Sequence, residues 1–242
     1  MKVLAIDRGN SRLKFAVSGD GAEGSQSLPF VDEAEALGVS WKQVRTARGE
    51  PDCIVISNVA GERAGKVLAQ SLRVFAAEPR WLISAARQCG VTNRYDNPTQ
   101  LGSDRWAALI GAWARVHGAC LVVNAGTATT VDALSAEGEF LGGLIVPGFS
   151  MMREALSSGT AALPLTDGHA AEFPRNTADA IWNGCLAAQA GAIERMGKKL
   201  PASAACLLSG GAAGILRPAL NMPASVVDNL VLEGLMHIAR EP

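Results

Sequence analysis

The sequence has few of the residues that mark metal-binding, disulfide-linked or membrane-spanning proteins. Its five cysteines form no C-x-x-C pair and its three histidines are scattered, so we expect buried, reduced thiols and no zinc site. No apolar run approaches the roughly 20 residues of a membrane helix. A carboxylate stands at position 7, which argues against a secretion signal. We therefore expect a cytoplasmic protein.

The chain also lacks an excess of charge of either sign. Lys and Arg number 22 and Asp and Glu number 23, which leaves a formal net charge of −1. A balance of this kind excludes the broad basic surface with which proteins bind nucleic acid or anionic membranes. Hydrophobic residues make up 48% of the 242 positions, enough for the core of one or two domains and too many for a disordered chain.

Short β-rich runs alternate with helical patterns, as is typical of an α/β protein. The apolar runs predict strands at residues 3–7, 13–18, 53–57, 121–124, 129–134, 140–146 and 206–209. Apolar residues at helical spacing predict helices at residues 62–72, 104–117 and 177–196. The most polar stretch, residues 19–49, is interpreted as an insertion or a loop region.

A similar strand and turn occurs twice, half a chain apart. Asp7-Arg8-Gly9 and Asn124-Ala125-Gly126 each end an apolar strand, and Gly9 and Gly126 are separated by an offset of 117 residues. Two copies at this spacing predict duplicated domains, at residues 1–117 and 118–242, whose glycine turns face each other. Chance similarity of two strand–turn–strand units is the alternative.

Each glycine turn is a candidate for phosphate binding, because glycine lets backbone N–H groups approach an anion closely. The first turn adds the carboxylate of Asp7, which is suited to holding hydrated Mg²⁺ beside a phosphate. The second, residues 124–130, offers hydroxyls and amides but no carboxylate. Residues 209–214 join a strand to a helix, as a nucleotide-contacting loop does. For either turn alone, an ordinary tight turn is the alternative interpretation.

Residues 102–105, Gly-Ser-Asp-Arg, open a predicted helix. Ser103 is predicted to cap this helix, which places Asp104 and Arg105 in its first turn. There the helix dipole favours an ionised carboxylate, and backbone N–H groups face any nearby anion. The alternative is that Asp104 and Arg105 are ordinary charged residues at a helix end, which this feature alone does not exclude. Thr177 also heads a predicted helix, either as a contact residue or only as its cap.

Several segments together resemble the type III pantothenate kinase family. DRGNSRLK at residues 7–14 is similar to that family's phosphate motif, and YDNPTQLGSDR at residues 95–105 to its Y-x-N-P…L-G-[AS]-D-R segment. Further similar segments follow in the family's order: NAGTATTVD at 124–132, GEFLGGLIVPG at 138–148, NTADAIWNG at 176–184, SGGAAG at 209–214 and DNLVLEGL at 228–235. The similarity runs over nearly the whole chain, which makes the combination specific although each segment is not.

The resemblance implies the actin-like ATPase fold of acetate and sugar kinases, an α/β fold of two duplicated ribonuclease H-like domains. It implies that ATP phosphorylates pantothenate to 4′-phosphopantothenate, the first step of coenzyme A synthesis. The implied ATP loop comprises Asp7, Arg8, Gly9, Asn10, Ser11, Arg12, Leu13 and Lys14, with Asp7 near Mg²⁺ and Thr127 as a further ATP contact. The implied pantothenate site comprises Tyr95, Gly102, Ser103, Asp104 and Arg105, with Asp104 as the general base and Thr177 from the neighbouring protomer of a homodimer.

Asn124 departs from the family's pattern, which has an Asp here that is associated with a monovalent cation. A neutral amide keeps an oxygen ligand but lacks the charge, so we expect weak or absent dependence on K⁺ or NH₄⁺. Two alternatives to a pantothenate kinase remain open at this point: a sugar kinase of the same fold, and a non-catalytic regulatory protein of the same family.

Overall fold

The computed structural model of the chain describes residues 1–18, 31–34, 40–160, 163 and 165–241. By its internal contacts the chain divides into two compact units. Unit 1 comprises Met1–Arg115 together with the residues from Asn229 onward, and unit 2 comprises Val116–Asp228.

Both units contain strands and helices. The strands are β1 (Val3–Arg8), β2 (Leu13–Val17), β3 (Val31–Ala34), β4 (Cys53–Asn58), β5 (Pro79–Trp81), β6 (Arg87–Gln88), β7 (Val91–Asn93), β8 (Cys120–Ala125), β9 (Ala128–Leu134), β10 (Glu139–Pro147), β11 (Ala205–Ser209) and β12 (Ser225–Val226). The α-helices are α1 (Trp41–Arg48), α2 (Glu62–Ser71), α3 (Ser103–Val116), α4 (Phe149–Gly159), α5 (Thr177–Gly197), α6 (Ala213–Leu216) and α7 (Leu230–Arg240). Short 3₁₀ turns lie at Leu72–Val74, Pro98–Gln100 and Arg217–Ala219.

Unit 1 is built on a sheet in the order β3-β2-β1-β4-β5. β2 runs antiparallel to β1 and β3, whereas β4 runs parallel to β1 and β5. One face of this sheet buries alternate strand residues such as Leu4, Ile6 and Phe15 beneath α1 and α2. The Trp41 ring of α1 packs edge to face against the Phe15 ring, with 5.2 Å between the ring centroids. Helix α7 packs against β1 and β4. Because helices cover both faces, the central strands are continuous apolar runs.

Helices α3 and α7 of unit 1 approach each other closely at two glycines. A Cβ atom on Gly234 would collide with the Ala107 carbonyl, and one on Gly111 would lie 2.6 Å from the Leu230 carbonyl oxygen. Arg115 and Glu233 join the same two helices by an ion pair with Nε–Oε2 at 2.5 Å. These contacts hold α7 in unit 1, so the predicted second domain, residues 118–242, is too long at its C-terminal end.

Unit 2 repeats the topology of unit 1. Its strands β10, β9, β8, β11 and β12 are neighbours in that order; β9 is antiparallel to β8 and β10, and β11 is parallel to β8 and β12. Helices α4, α5 and α6 supply its core, which includes Phe149, Cys185, Ile193 and Leu216. The same strand order and directions in both units confirm the predicted duplication.

The register shows where the two copies differ. Asp7 pairs with Lys14 across the first hairpin, and Asn124 pairs with Thr130 across the second. The second turn is therefore one residue shorter, and the offset of 117 residues holds only up to the turn glycine.

The predicted strands and helices are present, with small changes at their ends. The interpretation of residues 19–49 as a loop region is wrong for α1 and β3, although 19–30 and 35–39 lie outside the described residues. Helices α4 and α7 had no sequence prediction. None of the helices in the described ranges is long and apolar enough to cross a membrane.

Candidate active site

Asp7 lies at the end of β1, directly after the buried run Val3–Ile6. Its neighbours in the sheet are Lys14 on β2 and Ser57 on β4. The fully buried Ser57 hydroxyl donates a hydrogen bond to the Asp7 side chain. The other oxygen, Oδ1, is buried and has no hydrogen-bond partner among the described residues. A buried polar atom in this state is uncommon and points to a ligand.

The electrostatics of Asp7 show what this ligand has to supply. The pKa of the Asp7 carboxyl is raised from 3.8 to about 7, chiefly by burial and secondly by the nearby charge of Asp104. The Lys14 ammonium and the Ser57 hydrogen bond act in the opposite direction. A divalent cation would restore the ionised form and would occupy the unpaired oxygen. The described residues contain no cluster of three metal-ligating acids, histidines or cysteines, but Mg²⁺ is commonly held by one or two carboxylates, substrate phosphates and water. The residues therefore fit Mg²⁺.

Ser103 does not have the predicted capping role. It is the first helical residue of α3, and the Gly102 carbonyl before it accepts a hydrogen bond from the Trp106 N–H at 3.0 Å. The Ser103 hydroxyl instead lies 3.0 Å from the Ser57 hydroxyl. Because Ser57 also bonds to Asp7, two buried hydroxyls connect the end of β1 to the start of α3.

Asp104 lies in the first turn of α3, as predicted. Its Oδ1 accepts the N–H of Arg105 at 2.8 Å. Burial raises the pKa of the Asp104 carboxyl, against the smaller opposing effects of the Arg105 N–H and the Arg105 charge. Gly102 makes room for this carboxylate, since a Cβ atom there would lie 2.7 Å from Asp104 Oδ1. Asp7 and Asp104 are thus two half-buried carboxyl groups, and the charge of Asp104 acts on Asp7.

Arg105 and Tyr95, both predicted to bind substrate, contact each other. Arg105 Nη1 donates to the Tyr95 hydroxyl at 3.0 Å, and the guanidinium lies 5.7 Å from the centre of the Tyr95 ring. The Tyr95 N–H donates to Asn93 Oδ1 at 3.1 Å. Only 5% of the Arg105 surface is exposed, so its planar donor group is held in one orientation before any ligand binds.

The predicted phosphate loop, residues 7–14, differs in exposure along its length. The Gly9 N–H closes the turn by donating to the Arg12 carbonyl at 3.0 Å, and the Arg8 guanidinium donates to the Gly9 carbonyl. Asn10, Ser11 and Arg12 are exposed, so they are accessible to a ligand. Leu13 is buried in the core of unit 1, so its side chain does not belong to an ATP site and only its backbone is available.

In unit 2 three glycine loops meet at the end of β8. The Gly126 N–H donates to the Ala128 carbonyl at 3.0 Å, and the Gly148 N–H donates to the Thr127 carbonyl at 2.9 Å. A side chain on Gly148 would collide with the Gly126–Thr127 backbone, and one on Gly210 with Ala125. Residues 124–130, 147–148 and 209–214, separate in sequence, therefore form one backbone-lined edge.

Asn124 is part of the same edge. It pairs with Thr130 on β9 and with Ser209 on β11. Asn124, Thr130 and Ser209 are all polar, but none of them bears a charge.

Thr177 is the first residue of α5 and is exposed on unit 2. Asn176, not Thr177, caps this helix by accepting the Asp179 N–H at 2.9 Å. Thr177 also lines a cavity of about 780 Å³. The lining is mostly apolar: Met152, Leu156, Leu163, Pro174, Arg175, Asn176, Thr177, Ala180, Ile181, Gly184 and Cys185.

The sequence analysis missed Ser57 and Gln189. Ser57 stands in the apolar run CIVISN, and Gln189 stands four residues after Cys185 and four before Ile193 on the buried stripe of α5. In each case the available signal was a polar residue at a position where the pattern calls for an apolar one.

The chain is similar to known proteins over nearly its whole length. The family model of type III pantothenate kinases matches residues 3–199. A type III pantothenate kinase of Aromatoleum aromaticum is 50% identical over 241 residues, which cover 99% of this chain and 98% of that protein. Another, from Nitrosospira multiformis, is 46% identical over 99% of this chain and 91% of its own length.

Solved structures of low sequence identity share the fold. A Sinorhizobium meliloti protein, provisionally named a 2-dehydro-3-deoxygalactonokinase, superposes with a TM-score of 0.62 at 18% identity over 98% of both chains. At this identity the likeness shows the fold alone, which is the actin-like ATPase fold. The family match and the sequence identity over nearly the full length add the activity. With its paired carboxyl groups and glycine turns, this chain belongs to the type III pantothenate kinase family, whose members use ATP to phosphorylate pantothenate in coenzyme A biosynthesis.

Proposed function

We propose that Asp104 is the general base of the phosphoryl transfer. Its carboxylate accepts the proton of the primary 4′-hydroxyl of pantothenate as that oxygen bonds to the γ-phosphorus of ATP and the bond to the ADP oxygen breaks. The supporting observation is a half-buried carboxyl group that accepts the Arg105 N–H and whose charge acts on Asp7. Asp7 in turn has a buried Oδ1 without a hydrogen-bond partner among the described residues. Burial raises the pKa of Asp104 above that of an ordinary aspartate, which brings it closer to the value at which a base works well near neutral pH.

Asp7 is the residue we assign to Mg²⁺. The carboxylate would hold the ion directly or through its water, with Ser57 keeping the second oxygen in place. When bound, Mg²⁺ neutralises charge on the ATP phosphates. The Asp7 side chain itself places a negative charge beside the phosphate turn, and the opposing Lys14 limits the repulsion this causes.

The two glycine turns supply the backbone donors for the nucleotide. In unit 1 the exposed residues Asn10, Ser11 and Arg12 are proposed to contact ATP. In unit 2 the edge formed around Thr127 is proposed as a further ATP contact. Phosphoryl transfer depends mainly on positioning and charge neutralisation, so rigid turns of this kind are what the reaction requires.

Arg105 and Tyr95 are proposed to bind pantothenate. A guanidinium offers a planar fork of donors that matches a carboxylate, and the Tyr95 contact orients this fork. Next to it, Asp104 is one residue away on the same helical turn, so recognition of the substrate and removal of its proton are built on one element.

A homodimer is proposed from Thr177 and the apolar cavity beside it. The cavity lies between α4 and α5 and is open to solvent through exposed residues such as Leu156. A second protomer would cover this surface and could bring Thr177 to its partner's substrate. Sedimentation that shows a fully active monomer at nanomolar protein would contradict this arrangement.

The assignment of Asp104 is tested by Asp104→Asn, which keeps the shape and removes the proton acceptor. We expect turnover to fall roughly 10²–10⁴-fold, the scale of general-base catalysis, with ATP binding nearly unchanged. ADP release is measured with pantothenate, with sugars as control acceptors, and ATP binding by calorimetry. Turnover near that of the parent would assign the base elsewhere, and release of ADP with sugars alone would favour a sugar kinase.

A further inference from the structure

Gln189 places an amide in the middle of the apolar core of unit 2. It lies on the buried stripe of α5 and its exposed fraction is 0%. Burying an amide is unfavourable unless its polar atoms find partners. An apolar residue would pack here without that requirement, so the contacts of the amide indicate what it contributes.

Both polar atoms of the Gln189 amide are hydrogen-bonded, and their partners determine which of the two is the nitrogen. Gln189 Nε2 donates to the Pro147 carbonyl at 3.0 Å, and Oε1 accepts the Thr129 hydroxyl at 2.7 Å. A backbone carbonyl only accepts hydrogen bonds, so the nitrogen has to face Pro147 and the oxygen has to face Thr129. Nε2 also lies 3.6 Å from the Met152 sulfur.

The two bonded residues flank the Gly126–Thr127 turn. Thr129 on β9 pairs with Ala125 on β8, so it belongs to the pair that closes this turn. Pro147 ends β10 immediately before Gly148, whose N–H donates to the Thr127 carbonyl at 2.9 Å. The Gln189 side chain therefore connects β9, which leaves the turn, to residues 147–148, whose backbone is hydrogen-bonded to the turn.

We propose that Gln189 is a positioning residue for nucleotide binding, which holds the Gly126–Thr127 turn in the shape that accepts ATP. This inference rests on the proposed role of that turn in binding ATP. Gln189 has no exposed surface, so it acts through Thr129 and Pro147 and not by touching the nucleotide. Without the amide, the Thr129 hydroxyl and the Pro147 carbonyl lose their buried partners and the turn becomes free to relax away from both strands.

Gln189→Met tests the proposal because methionine is unbranched and similar in length, but cannot bond to either partner. We expect KM for ATP, and the Kd of a non-hydrolysable ATP analogue measured calorimetrically, to rise about tenfold. KM for pantothenate should stay within about twofold. Thr129→Val removes the same hydrogen bond from the other side, so it should weaken ATP binding too, and the double variant should be little weaker than either single one.

Ile193→Val is the matched control, since it loosens the same buried stripe of α5 without changing a polar group. It should lower Tm and leave ATP binding unchanged. If Gln189→Met behaves in this way, its role is only structural and the proposal is overturned. Should that variant not fold, unchanged ATP binding in Thr129→Val overturns it equally.

Thr127→Val tests the underlying assignment of the turn separately. Weaker ATP binding in Thr127→Val with normal binding in Gln189→Met would overturn the positioning role alone. Normal ATP binding in Thr127→Val would overturn the assignment of the turn, and with it the proposal.

Discussion

Replacing Asp7 by asparagine should stabilise the protein in the absence of ligands and inactivate the enzyme. In the folded protein the pKa of the Asp7 carboxyl is about 7, compared with an ordinary value of 3.8. A pKa that is raised on folding means that the protonated form is the favoured one. The stabilisation that protonated Asp7 gives the folded state is complete below about pH 3.8 and is lost as the pH rises through 7. Above pH 7 the unliganded protein carries a buried charge beside Asp104.

The magnitude follows from the same values. Each pH unit between 3.8 and 7 changes the free energy of unfolding by about 1.4 kcal/mol, so between pH 5 and pH 8.5 the parent loses about 3 kcal/mol that Asp7→Asn retains. The cost of burying the new amide is the same at both pH values and cancels. At about 2–4 °C per kcal/mol for a chain of this size, the gain in Tm should be about 6–12 °C larger at pH 8.5 than at pH 5.

The assay is thermal unfolding of both proteins without Mg²⁺ or nucleotide at pH 5, 7 and 8.5. Asp96→Asn is the control, because Asp96 is an exposed aspartate of the same unit and should shift Tm by the same small amount throughout. Mg²⁺ with ATP should stabilise the parent more than Asp7→Asn, because the variant keeps the backbone donors for ATP but loses the carboxylate proposed for Mg²⁺. Turnover of the variant should fall at least about 100-fold, the scale for removing one electrostatic group from a transition state. A Tm difference that does not change with pH would refute the reasoning.

Three further variants test neighbouring parts of the site. Ser57→Ala removes a hydrogen bond that lowers the pKa of Asp7, so the acidic limb of the pH–rate profile should move to higher pH; an unchanged profile would contradict the role of Ser57. Gly102→Ala puts a Cβ atom 2.7 Å from Asp104 Oδ1, and steady-state kinetics should show kcat reduced about 10–100-fold because a small displacement of a catalytic group is costly. Asn124→Asp should make activity more responsive to K⁺ in a titration free of sodium and ammonium, because it adds the missing charge; strong K⁺ activation of the parent would show instead that backbone oxygens are sufficient.

The sequence alone determined the repeated unit, the main strands of both units and the helices α2, α3 and α5. Strands such as β1 and β8 are apolar runs that end at a polar residue and a glycine, and these local features also identify the turns near Gly9 and Gly126. The order of the motifs indicated the family, because the residues of each motif are adjacent in the chain. Asp104 was placed in the first turn of α3 for the same local reason.

Only the tertiary structure decided how distant segments meet. Ser57 reaches Asp7 because β4 is parallel to β1 in a particular register, and Ser103 then bonds to Ser57 and leaves the capping position to Gly102. Gln189 stands 60 residues from its partner Thr129, and α7 joins unit 1 through close glycine contacts with α3. Each of these contacts depends on strand register and helix packing, which a local sequence pattern does not contain because they form only when remote elements pack together.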